Sequence, residues 1–318
     1  MKAKFTGHDT FPLRYGWLYK SIKLIKNNGL LSTSDLGKTS TAIAELGVGK
    51  NMVSAMRYWS EATRMTSSSI RDREVVQEVT SLGLAVFDEL NGVDPYLDDI
   101  GTVWLLHWLL NSDDSELTAY RYFFGRSSAM YFEKTKFVDD LVAEANTLTG
   151  ANELKKATVK KDVDCFLATY ISKANKVSEK GGAKLDEDSF SSPLSELELI
   201  KDMGGGYYQS DFRYQDSLPL EIFLFSLCSW AQKQFRLSGV TQFTFEDAQS
   251  RPCSPGKVFR LSETAMGAML DEAVVKYRRQ LSWIDSQGLK QIVVSPEWLD
   301  KPTSILQLYY PETPIWSN

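Results

Sequence analysis

Histidine and cysteine are scarce. The 318 residues hold two histidines, His8 and His107, and three cysteines, Cys165, Cys228 and Cys253. The cysteines lie far apart, with no C-x-x-C pair and no histidine at ligand spacing. That excludes a disulfide framework and a zinc-finger site. Unpaired thiols fit a reducing compartment, so a cytoplasmic protein is expected. A long apolar run is missing as well. The densest, TVWLLHWLL from Thr102 to Leu110, is about half of the ~20 residues a membrane span needs and reads as a buried helix. No apolar signal core follows the basic stretch Met1 to Phe5, so no targeting segment and no membrane association are expected. Positive charge is not in excess either. The formal net charge is −5 and the sequence pI is about 5.3, which by itself does not point to nucleic acid.

The distribution of charge says more than its sum. Residues 1–75 hold twelve Lys/Arg against six Asp/Glu, a balance of +6, so the remaining 243 residues sum to −11. Residues 76–120 carry nine acids and no Lys or Arg. A basic N-terminal module beside an acidic neighbour places a polyanionic partner on the N-terminal module. With 43% apolar and 24% charged residues, the chain is an ordinary globular protein. Its length suggests two or three domains.

Periodicity and punctuation predict a mainly α protein. A first helix starts near Pro12 and ends at Asn27-Asn28-Gly29, with Lys20, Lys23 and Lys26 as a basic stripe. Helix is expected again over 73–91, 115–148 and 155–170. The polar stretch EKGGAKLDEDSFSS, Glu179 to Ser192, reads as a domain boundary. Beyond it come an apolar helix at 218–235, helices at 245–249 and 262–280, and two β-prone runs, 281–284 and 289–294, around a glycine turn. Helix, helix, hairpin is a winged-helix order. The expected domains are residues 1–75 (helix-turn-helix), 76–180 (helical middle) and 190–318 (winged-helix-like, with a small β-hairpin). No internal repeat of fixed period is visible.

The stretch LGVGKNMVSAMRYW, Leu46 to Trp59, allows two readings. A phosphate loop needs G-x-x-x-x-G-K-[ST] after a strand. Here Asn51 follows Gly49-Lys50, Ala44 stands at the leading position, and Gly37-Lys38-Thr39 is led by Ser32. No nucleotide cofactor is therefore expected. The helix-turn-helix template fits. Ala42 and Ala44 are small where two helices cross, Gly47 supplies the turn, and Val53 and Met56 fall on the buried face. Lys50, Asn51, Ser54, Arg57 and Tyr58 then occupy the other face, with Arg64 extending its basic edge. These residue types read base edges and grip phosphate. A packing motif that binds no DNA is the alternative.

Two stretches hold groups for phosphodiester chemistry. GHDTFPLR places His8, Asp9 and Arg14 together, a base, a carboxylate and a cation. Its blander reading is a helix cap and a hydrogen-bonded histidine. DPYLDD offers Asp94, Asp98 and Asp99 as oxygen ligands for Mg²⁺ or Mn²⁺, or is a solvated acidic loop; docking of the acidic segment on the basic head is left open. His107, among Trp104, Leu105, Leu106 and Trp108, reads as a core residue.

GHDTFPLRYGW, LGVGKNMVSAMRYW, DPYLDDIGTVWLLHW, SPLSELELI and SPGKVFRLSE, in this order, resemble an uncharacterised-domain family of bacterial DNA phosphorothioation operons, the SspB-like family. The similarity spans most of the chain. It implies a protein that nicks one strand of duplex DNA in a modification and defence system. The partners it implies are a cysteine desulfurase, a reductase-like sulfur-transfer enzyme and an ATPase. A non-catalytic DNA-targeting subunit and a transcriptional regulator are the alternatives, and a homodimer is left open. The resemblance carries over no catalytic residues.

Overall fold

The computed structural model describes residues 2–28, 31–32, 46–71, 73–112, 116–149, 154–172, 191–235, 241–286 and 289–311. Helices dominate, with small sheets between them. No helix among the described residues is long and apolar enough to cross a membrane.

The N-terminal unit begins with α1 (Trp17–Asn28). It buries Leu18, Ile22 and Ile25 on one stripe, the spacing of an amphipathic helix. Strand β2 (Leu31–Ser32) follows. Helix α2 (Lys50–Ala62) opens after Gly47, whose φ of 65° takes the sharp turn a side chain would resist. Val53 and Met56 are buried, as their spacing predicts. The helix expected around Ala42 and Ala44 lies outside the described residues. Strands β3 (Thr66–Arg71) and β4 (Glu74–Val79) then form a hairpin, and β2 pairs with β4. The helix expected over 73–91 is therefore corrected. Val75, Val76 and Val79 favour strand, and Thr80 caps a helix only at α3 (Ser81–Phe87) by accepting from the Gly83 N–H. The domain boundary expected at 75/76 falls inside β4.

Gly83 packs on the chain just before β3. A Cβ there would press into the Met65 carbonyl oxygen, a backbone atom that cannot swing away. Gly83→Ala should cost about 2–3 kcal/mol from overpacking, read as a lower urea midpoint; an unchanged midpoint would refute this contact.

The acidic segment lies against α1. Lys26 pairs with Asp88, Lys23 with Glu89 at 2.5 Å, and the Tyr19 and Tyr96 rings meet at 5.4 Å.

The middle is built on α4 (Ile100–Asn111), buried from Gly101 to its end. Around it stand α5 (Ala119–Gly125), α6 (Lys134–Thr149) and α7 (Lys156–Tyr170). The continuous helix expected over 115–148 is interrupted by β6 (Tyr131–Glu133). This strand pairs with β8 (Tyr207–Gln209), which pairs in turn with β7 (Lys201–Gly204).

His107 is fully buried. Its Nε2 lies 2.8 Å from the Val258 carbonyl, so that nitrogen carries the proton. Nδ1 then accepts from the Tyr170 hydroxyl at 2.8 Å. Burial pushes its pKa down to about 3, with the Val258 carbonyl opposing and the Arg260 charge adding to the shift. A depressed histidine pKa means the unfolded chain takes up the proton first as pH falls. Stability should be complete above about pH 6.5 and fall by about 1.4 kcal/mol per unit toward pH 4. Urea midpoints for wild type and His107→Gln test this: the variant, less stable at pH 7, should show the shallower dependence. Equal slopes would sink it.

The C-terminal unit, like the first, has a strand after its first helix and closes on a hairpin. Helix α8 (Leu220–Phe235) leads to β9 (Gln242–Thr244), α9 (Phe245–Ser250), the one-turn α10 (Pro255–Val258) and α11 (Glu263–Lys276). The hairpin β10 (Leu281–Ser286) and β11 (Leu289–Val294) comes next. Strand β11 pairs with both β10 and β9. In each unit the strand after the first helix pairs with the last strand of the closing hairpin. The expected boundary at 179–192 lies mostly outside the described residues. Helices α12 (Pro296–Asp300) and α13 (Thr303–Tyr309) end the chain. The Tyr309 hydroxyl reaches back to Asp99 at 2.7 Å and Tyr310 to Thr102 at 2.7 Å, which ties the C-terminal unit to α4.

The SPGKVFR stretch supplies two buried cations. Lys257 donates to the Arg126 carbonyl and Ser128, while Arg260 stacks on Phe123 and Phe212 and donates to the Ala129 carbonyl. Burial holds the Arg260 pKa down at about 9 against the opposing charge of Asp211.

Candidate nucleic-acid interface

Helix α2 divides cleanly into two faces. Val53, Ala55, Met56 and Trp59 are buried; Lys50 and Asn51 are exposed, and Ser54 and Arg57 are half-buried. The Trp59 indole N–H donates to the Phe11 carbonyl at 2.9 Å, which fixes the helix on the N-terminal segment. Gln77 of β4 donates to the Arg57 carbonyl at 3.2 Å and to Thr66 at 2.9 Å, locking the hairpin to the helix. Lys50, Asn51, Ser54 and Arg57 therefore stand on a rigid base. Gly49 caps α2 without a side-chain bond to its first amides, and that end of a helix favours negative charge.

Two residues expected on this face stand elsewhere. Tyr58 is buried: its ring meets His8 at 5.4 Å and Trp59 at 5.3 Å, and Lys4 lies over it at 5.9 Å. Burial, with the nearby Asp162 charge, pushes its phenol pKa well up. Arg64 is exposed but lies past the helix end, with φ of 61°, and donates to Ser112 at 3.3 Å.

His8 and Arg14 each have neighbours outside the GHDTFPLR trio. His8 is 2% exposed, and its Nε2 faces the Asp162 carboxylate at 2.9 Å, 154 positions away. The Thr10 amide donates to Nδ1 at 3.0 Å, so the ring proton sits on Nε2 and points at Asp162. Desolvation lowers the ring pKa, but the hydrogen bonds and charges of Asp162 and Cys165 outweigh it, so the net shift is upward. Against that shift, a second proton on Nδ1 would oppose the Thr10 donor. The other Asp162 oxygen accepts from the Ala119 amide at 2.7 Å, at the start of α5. Asp9 is exposed in a turn with φ of 45°. Arg14 lies over the Phe11 and Trp17 rings at 5.6 and 5.5 Å. His8 and Asp162 thus staple the N-terminal segment to α5 and α7. No pattern in the sequence pointed to Asp162.

Asp94, Asp98 and Asp99 do not converge on a metal position. Both Asp94 oxygens accept backbone amides, from Asp98 at 2.8 Å and Asp99 at 3.2 Å. Asp99 caps α4 through the Gly101 amide at 2.7 Å and also accepts from Tyr309. Only Asp98 of the three is exposed. Among the described residues, no group of three or more His, Cys, Asp or Glu is arranged to hold a metal ion. These carboxylates build a turn and a helix cap, and they do not fit a divalent cation in this arrangement.

A family model described as a protein of unknown function, DUF4007, matches residues 5–310. The chain belongs to the DUF4007 family. No curated protein matches it. Among solved structures, this DUF4007 chain is similar to an SspB crystal structure, with 26% identity and a TM-score of 0.82. The match covers 98% of this chain and 88% of that one. A magnesium ion-bound SspB crystal structure matches with the same identity and coverage and a TM-score of 0.81. The likeness to SspB expected from the ordered motifs is present along nearly the whole DUF4007 chain.

Proposed function

We propose that this chain reads duplex DNA as the SspB-like component of a bacterial phosphorothioation system, with α2 seated in the major groove. One observation carries the reading: Lys50, Asn51, Ser54 and Arg57 share the outward face of a helix held at its back by Trp59 and Gln77. Lysine and arginine grip phosphate, asparagine reads adenine, and serine adapts to either. The two units with matching strand order are then both winged helices, and only the first has reading chemistry. At the start of α11, the counterparts of Lys50, Asn51 and Ser54 are Glu263, Thr264 and Gly267. An acid at the leading position repels phosphate.

Two readings differ in the step after binding. The family resemblance favours nicking of one strand, with Mg²⁺ or Mn²⁺ as the metal, in the company of a desulfurase, a reductase-like sulfur-transfer enzyme and an ATPase. The geometry favours a DNA-targeting role, because His8 is held by Asp162 and Asp94 and Asp99 are engaged with backbone amides. Supercoiled plasmid incubated with purified protein in Mg²⁺, Mn²⁺ or EDTA separates them. The targeting reading expects binding without open circles. Metal-dependent open circles would contradict it and place nicking in this chain.

A further inference from the structure

Strand β1 (Lys2–Ala3) pairs in parallel with β5 (Glu116–Leu117). This brings Lys4 beside Glu116, at the C-terminal end of α2. There the last turn of α2, with Glu61, and Arg64 just beyond it meet the start of α5, with Thr118 and Arg121. Together they line a polar cleft of about 220 Å³. Three cations and two carboxylates face one space.

Lys4 and Arg121 are only partly neutralised. Glu116 lies 3.6 Å from Lys4 and 3.8 Å from Arg121, longer than charge-assisted hydrogen bonds of about 2.7–2.9 Å. One carboxylate therefore serves two cations loosely. The Arg121 guanidinium is fixed by the Leu110 carbonyl at 3.2 Å and the Glu116 carbonyl at 3.3 Å, so its charge is positioned before any ligand arrives. The Lys4 and Glu116 side chains stay 40% and 33% exposed, and the cleft opens to solvent.

Helix α2 has 13 residues and is about 20 Å long. The major groove is about 12 Å wide. A helix that reads bases from its first turns thus carries its other end past the groove wall, where the phosphate backbone runs. Resting on the DNA reading above, we propose that this cleft binds one backbone phosphate of the same duplex. Lys4, Arg64 and Arg121 are its ligands, and Glu116 is the resident counter-charge that the phosphate displaces. The middle of the protein then takes part in DNA binding, and the duplex is gripped at both ends of α2.

The test is equilibrium binding of a duplex oligonucleotide to the full chain across salt concentrations. Lys4→Ala and Glu116→Gln change groups outside the core, and their urea midpoints confirm folding. Lys4→Ala should weaken binding and make the slope of log affinity against log salt shallower by about 1, one phosphate contact fewer. Glu116→Gln should bind several-fold tighter at low salt, about the effect of removing one competing charge. If both variants keep wild-type affinity and slope while Lys50→Ala/Arg57→Ala weakens binding, the cleft is overturned and the DNA reading stands. If wild type itself shows no salt-dependent binding, the DNA reading fails and takes the cleft with it.

Discussion

The Lys50→Ala/Arg57→Ala double variant should lose duplex binding by about 10²-fold or more at moderate salt. Each side chain that touches a base or phosphate edge contributes about 1–3 kcal/mol, and a tenfold loss is about 1.4 kcal/mol. Lys50 is exposed and Arg57 half-buried. The bond from Gln77 goes to the Arg57 backbone carbonyl, so alanine there leaves it in place. Folding should be intact and binding gone. The Arg57→Ala single variant also sorts the contact type. A base contact makes the loss depend on sequence, while a phosphate contact weakens all duplexes alike. Wild-type affinity in the double variant, measured by anisotropy on a labelled duplex, would remove this face from the interface.

The Asp162→Ala variant should lose about 2–6 kcal/mol of stability, because it leaves two buried donors unsatisfied at about 1–3 kcal/mol each. Asp162 is fully buried and accepts from both His8 and the Ala119 amide. Its loss strands a ring N–H and a backbone N–H with no water to replace it. Asp162→Asn keeps an acceptor oxygen and should lose distinctly less. Urea unfolding of the three proteins is the check, and an Asp162→Ala midpoint within error of wild type would refute the staple. The consequence for function is direct. A His8 variant that loses activity has also lost part of this staple, so its stability must be known before His8 is given a chemical role.

The outline of the fold was legible in the sequence where punctuation and periodicity agreed. The Gly47 turn, the buried Val53 and Met56, the helix ending at Asn28 and the C-terminal hairpin all stand where local pattern put them. The first hairpin was hidden because Arg73 and the acids around it read as a helical surface, whereas Val75, Val76 and Val79 pair as strand. Tertiary pairing overrode local pattern there. Long-range partners had no local trace. His8 and Asp162 are 154 positions apart, and Lys4 meets Glu116 through a two-residue strand pairing. DPYLDD looked like a metal loop because a capping turn and a cation site use the same residues. They differ in where the oxygens point, which here is toward the amides of Asp98, Asp99 and Gly101.

The central claim is that the first of the two similar units holds the DNA. Amide hydrogen exchange on the full chain, with and without a saturating duplex, tests it most directly. Protection should appear over residues 47–58 and the β3–β4 hairpin, and residues 263–276 of α11 should exchange unchanged. Protection confined to α11 and its β10–β11 hairpin, with α2 unaffected, would contradict the account.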